Sequence, residues 1–226
     1  MPDALADSTV VFDLDGTLVD TAPDLLRALN RVLDLEGLAH PPEAVVRFFV
    51  GHGARTLIER TTRLSGTAYT AERLDQLTAA FIEFYAADIA ALSRPFPGVV
   101  EALDELEGAG AVLAVCTNKR TDLSLKLLGA LGLAGRFAAI VGADAVQACK
   151  PDPGHFLETV SRAGGQAHKA IMVGDTETDA AAARAAGAPI ILVRFGYTED
   201  PSAVNADITI GGYEELTAAA RRLLSA

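Results

Sequence analysis

The chain alternates short apolar runs with longer stretches in which apolar positions recur at helical spacing. Residues 9–12, 111–116, 137–141, 170–173, 190–193 and 207–210 are short runs rich in Val, Ile and Phe. Runs of this length suit strands buried on both faces. Between them lie amphipathic stretches at residues 99–107, 121–131, 154–163 and 176–186, with a closing one at 213–224. Strands alternating with helices predict a parallel sheet covered on both sides, an α/β, Rossmann-like core.

One region breaks the alternation. From about Pro23 to Leu92 no strand pattern appears. Leu25, Leu29 and Val32 repeat at helical spacing behind Pro23, a favourable first-turn residue. Leu74, Leu77, Phe81, Phe84 and Ile89 do the same behind Thr70, a candidate N-cap. The segment ends in RPFPG, a stiff connector. These features predict an all-helical insert at residues 19–94, between the two parts of the core at 1–18 and 95–226.

Composition narrows the partners. Half of the 226 residues are hydrophobic, enough for a sizeable core, and the formal net charge is -11. That charge argues against a nucleic-acid or anionic-membrane binder, while leaving room for a local cationic pocket that takes an anion. Charged residues break the apolar stretches repeatedly, so no segment reads as membrane-spanning, and the opening MPDALADST has no signal-peptide pattern. Cys116 and Cys149 form no CxxC pair and read as free thiols of a reducing compartment. The expectation is a cytoplasmic protein.

Ligands of open parallel sheets bind beyond the carboxyl ends of the strands. The first strand ends in Asp13-Leu14-Asp15-Gly16-Thr17, the second in Thr117-Asn118, and the fourth in Gly174-Asp175, with Asp179 one turn later. Lys150 precedes a predicted helix. Each cluster has a plainer reading. Asp-Gly is a turn signal, Thr117 and Asn118 suit a helix cap, Thr176 to Asp179 fits a capping box, and a lone lysine is usually exposed. Their shared placement at one edge of the sheet favours a common site. In the insert, Gly51-His52-Gly53-Ala54-Arg55 is the candidate substrate-facing segment. Arg55 suits a second anionic group and also reads as a solvated helix-start residue; His52 also reads as an exposed turn. This GxG lacks the preceding strand and third glycine of a dinucleotide fingerprint. His40, His155 and His168 sit in loop or helix-edge contexts and receive no function.

With these residues in view, the chain resembles the haloacid dehalogenase superfamily, in its phosphatase branch with a helical cap. DLDGTLVD, CTNK, CKPDP and GDTETD match the four motifs in order, and VGHGARTLIER, PFPGVVEALDEL and VGDTETDAAAARAAGAP look most like phosphoglycolate phosphatases. The resemblance implies Mg²⁺-dependent hydrolysis of a small phosphorylated metabolite, with 2-phosphoglycolate preferred. It implies Asp13 as nucleophile, Asp15 as general acid and base, and Lys150 as a fixed charge. Thr117 and the Asn118 backbone would hold phosphate oxygens. Asp13, the Asp15 carbonyl and Asp175 would hold the metal, with Asp179 touching it, orienting a water or capping its helix. An acid at Asp15 argues against dehalogenation. A phosphosugar mutase or pyrophosphatase on the same core, and a non-catalytic binding module, are the competing readings; the sequence leaves oligomeric state open.

Overall fold

The computed structural model describes residues 3–225. Six parallel strands form the central sheet: β1 (Thr9–Phe12), β4 (Val112–Cys116), β5 (Ala139–Val141), β6 (Ala170–Gly174), β7 (Ile190–Val193) and β8 (Ile208–Ile210), in the order β5-β4-β1-β6-β7-β8. Val10 pairs with Leu113 on one side and Ile171 on the other. Every residue of β1 is buried, which explains why Val10, Val11 and Phe12 run on without polar alternation.

Strand order places the working edge. From β1 the chain builds outward to β4 and β5, then returns to the other side of β1 with β6. The carboxyl end of β1 therefore lies at the point where the winding reverses, a crevice between the loops that leave β4 and β6.

The helices of the core are α5 (Val99–Gly108), α6 (Thr121–Ala130), α7 (Pro153–Arg162), α8 (Glu177–Ala185) and α9 (Leu216–Leu224). Local chemistry sets their starts. Asp152 caps α7 by accepting from the Gly154 N–H, with Pro153 in the first turn. Thr176 and Asp179 form a capping box on α8. The last helix starts later than its apolar pattern suggests, because Tyr213–Glu215 forms a 3₁₀ turn before it.

Between β1 and α5 stand four helices: α1 (Ala22–Leu35), α2 (Glu43–Arg47), α3 (Ala54–Leu64) and α4 (Ala71–Ala87). Thr70 caps α4, accepting from Arg73 N at 3.2 Å. Leu29, Val32, Ile58, Leu77, Phe81 and Tyr85 from this group are buried in one continuous cluster with core residues. Two features were not expected. Val19–Asp20 (β2) pairs antiparallel with Arg94–Pro95 (β3), clasping the two connections of the helical segment. Two residues per strand, one of them proline, carry no periodic signal. Asp24 is also fully buried; its Oδ2 accepts from Leu92 N, Ser93 N and Ser93 Oγ, tying the start of α1 to the returning chain. No helix among the described residues is long and apolar enough to cross a membrane.

Candidate active site

The loop after β1 turns sharply at Gly16, whose φ is +83°. A side chain there would be strained, and its Cβ would lie 2.4 Å from Asp175 Oδ2 and 2.7 Å from the Tyr197 ring. Glycine thus lets the loop bearing Asp13 and Asp15 approach the loop after β6. Gly196 makes room from the far side, where a Cβ would meet the Asp175 Cβ at 2.2 Å.

Asp13, Asp15, Thr117, Lys150, Asp175 and Asp179 are all buried. Lys150 Nζ lies 2.9 Å from Asp13 Oδ1 and 2.6 Å from Asp179 Oδ1. Burial opposes the ammonium, but Asp13 and Asp179 outweigh it and hold Lys150 above its ordinary range. One cation cannot balance three carboxylates. Burial first, then repulsion from Asp179 and Asp15, lifts Asp13 to about 7 against the pull of Lys150. Burial, Asp179 and Asp13 likewise push Asp175 well above the carboxylate range.

Asp13, Asp175 and Asp179 each offer an oxygen, all within 4.8 Å of one another. An all-oxygen donor set with surplus negative charge fits a hard divalent cation such as Mg²⁺. Asp175 is oriented by Thr17 Oγ1, which donates to Oδ1 at 3.0 Å, and by Tyr197 N, which donates to Oδ2 at 2.7 Å. Asp179 is more heavily engaged. Its Oδ1 takes Lys150 and its Oδ2 accepts from Thr176 N, Thr176 Oγ1 and Asp175 N. The capping box and a charge role therefore coexist in one side chain.

Above this cluster opens a cavity of about 270 Å³, reaching from Asp13 and Asp15 to the inner faces of α3 and α4. It lies just under the range of roughly 300–1,000 Å³ usual for drug-sized ligands. Thr117, Asn118, His52 and Arg55 all line it. Asn118 Nδ2 bridges Gly51 O at 3.1 Å and Lys150 O at 3.0 Å, joining the helical segment to the core. Arg55 reaches the cavity wall, yet its guanidinium binds Asp75 at 2.9 Å on the exposed side. His52 is half-buried against Val50 O at 3.3 Å; burial, then Arg60, lowers its pKa.

Three participants escaped the sequence reading. Lys119 is buried in the cavity wall, with Nζ 2.9 Å from Asp15 Oδ1 and 4.6 Å from the centre of the Tyr85 ring. It stands beside Thr117 and Asn118 in CTNK, so proximity to the motif was the available signal. Tyr197 had no signal, since the partners of its phenol lie more than 170 positions away. His155 was expected at a helix edge. It stands there, in the first turn of α7, but is buried, accepting from Lys150 N at Nδ1 (3.3 Å) and donating from Nε2 to Val141 O (3.1 Å). A helix beginning two residues before it turns that edge into the wall behind Lys150.

A family model described as haloacid dehalogenase-like hydrolase matches residues 10–193. The chain is 48% identical over 219 residues to a phosphoglycolate phosphatase of Caulobacter vibrioides, covering 96% of this chain and 92% of that protein. It is 49% identical over 201 residues to one of Mesorhizobium japonicum, covering 86% and 88%. Among solved structures, a predicted phosphoglycolate phosphatase from Haemophilus somnus superposes with a TM-score of 0.87 at 27% identity, covering 95% of this chain and 98% of that one.

Proposed function

The chain belongs to the haloacid dehalogenase-like hydrolase family, and on that premise we infer that it is a phosphoric monoester hydrolase acting on 2-phosphoglycolate. The observation that carries the reaction type is the buried Asp13–Lys150–Asp179–Asp175 cluster, of which Asp13 opens onto a small cavity. The substrate follows from the two phosphoglycolate phosphatases matched along most of their length.

Asp13 attacks phosphorus through a carboxylate oxygen. The bond from phosphorus to the glycolate oxygen breaks, and an aspartyl phosphate forms on Asp13. Asp15 protonates the departing alkoxide, then takes a proton from the water that releases inorganic phosphate. Thr117 Oγ1 and the Asn118 backbone N–H hold the non-bridging oxygens, while Lys150 keeps positive charge beside Asp13 throughout. Asp13 and Asp175, with the Asp15 carbonyl and support from Asp179, would hold Mg²⁺. When bound, it supplies positive charge that offsets repulsion between carboxylate and phosphoryl oxygens. The helices α1 to α4, which we assign to a cap at residues 19–94 over a core of 1–18 and 95–226, exclude water from the cavity. Its walls carry Arg55, His52 and Lys119, and of these we assign Arg55 to the substrate carboxylate. Free Cys116 and Cys149 support the expected cytoplasmic setting, with a small metabolite as partner.

Phosphate release with Mg²⁺ across 2-phosphoglycolate, sugar phosphates, nucleotides and pyrophosphate tests this reading. A clear lead in kcat/KM for 2-phosphoglycolate is expected. Preference for pyrophosphate, or isomerisation of a sugar phosphate without phosphate release, would replace it.

A further inference from the structure

The start of α1 uses its residues in an unusual division of labour. The first N–H groups of a helix have no partner within it, and a threonine at the cap position normally serves them with its own oxygen. Thr21 occupies that position but makes no such bond. Its hydroxyl donates instead to Asp15 Oδ1 at 2.6 Å. The N–H groups of Thr21 and Ala22 donate to the phenolic oxygen of Tyr197, at 2.7 and 2.9 Å. The same phenol donates to Asp20 Oδ1 at 2.7 Å. One donor and two acceptor sites are all a phenol has, so Tyr197 is saturated by three consecutive residues of the connection into α1.

The other end of Tyr197 is equally fixed. Its backbone N–H donates to Asp175 Oδ2 at 2.7 Å, and its ring closes against Gly16. Arg47 of α2 lies over the ring at 5.4 Å while binding Asp20 at 3.0 Å. A single buried side chain thus joins the loop after β7, the loop bearing Asp15 and the entry to the helical segment.

We propose that Tyr197 is a positioning residue for Asp15, acting through Thr21. The phenol takes over the capping task, holds the peptide that carries Thr21 and leaves the threonine hydroxyl to fix one oxygen of the acid. Asp15 Oδ1 then has two donors, Thr21 and Lys119, and Oδ2 has none among the described side chains. Proton transfer to the leaving oxygen depends on that placement.

The inference deepens the role given to Asp15 above, and leaving-group chemistry separates the two. Acetyl phosphate is close in size to 2-phosphoglycolate, but its departing acetate needs no proton. Tyr197→Phe and Thr21→Val should each lower kcat/KM for 2-phosphoglycolate by about tenfold or more, as a modest misplacement of a reacting group does. kcat/KM for acetyl phosphate should change little, because it reports the transfer to Asp13 and not the later hydrolysis step that both substrates share. Thr21→Ser should restore the wild-type ratio, and the double variant should fall no further than Thr21→Val alone. Equal losses on both substrates, unchanged hydrolysis of 2-phosphoglycolate, or losses that multiply in the double variant would overturn the proposal. If Tyr197→Phe fails to fold, the Thr21 variants still decide, since a wild-type ratio in Thr21→Val refutes the route. Asp15→Asn is run alongside. If it too lowers kcat/KM equally for both substrates, the acid assignment itself falls; if it discriminates and Tyr197→Phe does not, only the positioning role falls.

Discussion

Replacing His155 by glutamine should change how stability depends on pH. His155 is buried, with Nδ1 accepting from Lys150 N and Nε2 donating to Val141 O. That pattern uses the neutral ring. Burial, reinforced by the Lys150 charge, lowers its pKa from 6.5 to about 4. Between those values the unfolded chain binds a proton at this site and the folded chain does not. Stability from this group is therefore present above the unfolded pKa and lost as pH falls towards the folded one. Linkage puts the loss at about 2 kcal/mol between about pH 8 and pH 5. Carboxylates titrate over part of the same range, so the quantity to measure is the difference between wild type and His155→Gln. Urea unfolding of both at several pH values supplies it. The wild-type advantage should shrink by that amount on acidification. A difference that stays constant, or grows towards acid, would refute the neutral, buried assignment.

Other perturbations probe the site and its frame. Gly16→Ala should lower kcat at least tenfold and reduce Tm, since φ +83° is strained for alanine by about 1–2 kcal/mol and the new Cβ meets Asp175 Oδ2 at 2.4 Å; steady-state kinetics and a thermal melt check both. Lys119→Met leaves Asp15 buried without its cation, and urea unfolding should show a loss of about 3 kcal/mol, as for other broken buried pairs. Asp24→Ala strands the donors of Leu92 and Ser93 and should cost roughly 2–4 kcal/mol in the same assay, without abolishing turnover. Chelation should abolish phosphate release and excess Mg²⁺ restore it, whereas Ca²⁺ should inhibit because its looser coordination misplaces the nucleophile.

Legibility in the sequence followed the range of the interactions. β1 and β6 were visible because both faces of each are buried, leaving unbroken apolar runs that end in Asp13 and Gly174-Asp175. Thr70 and the Thr176–Asp179 capping box were visible because a cap and its helix lie within four residues. The β2–β3 clasp, the burial of Asp24 and the three bonds of the Tyr197 phenol were not, because each joins segments far apart in the chain. Lys150 could be placed at the site from its motif, but not the Asp13 and Asp179 contacts that define its charge state. His155 lies at the helix edge the sequence suggests, but its burial was not legible, for a related reason. Its position two residues into α7 looks peripheral until β5 and the Lys150 loop close around it.

The central claim is that Asp13 carries the phosphoryl group during turnover. Rapid mixing with radiolabelled 2-phosphoglycolate and Mg²⁺, acid quenching and peptide mapping test it directly. The account predicts label on the peptide containing Asp13, absent in Asp13→Asn, which should also lose hydrolysis. Undiminished turnover by Asp13→Asn, or label on another residue, would contradict it.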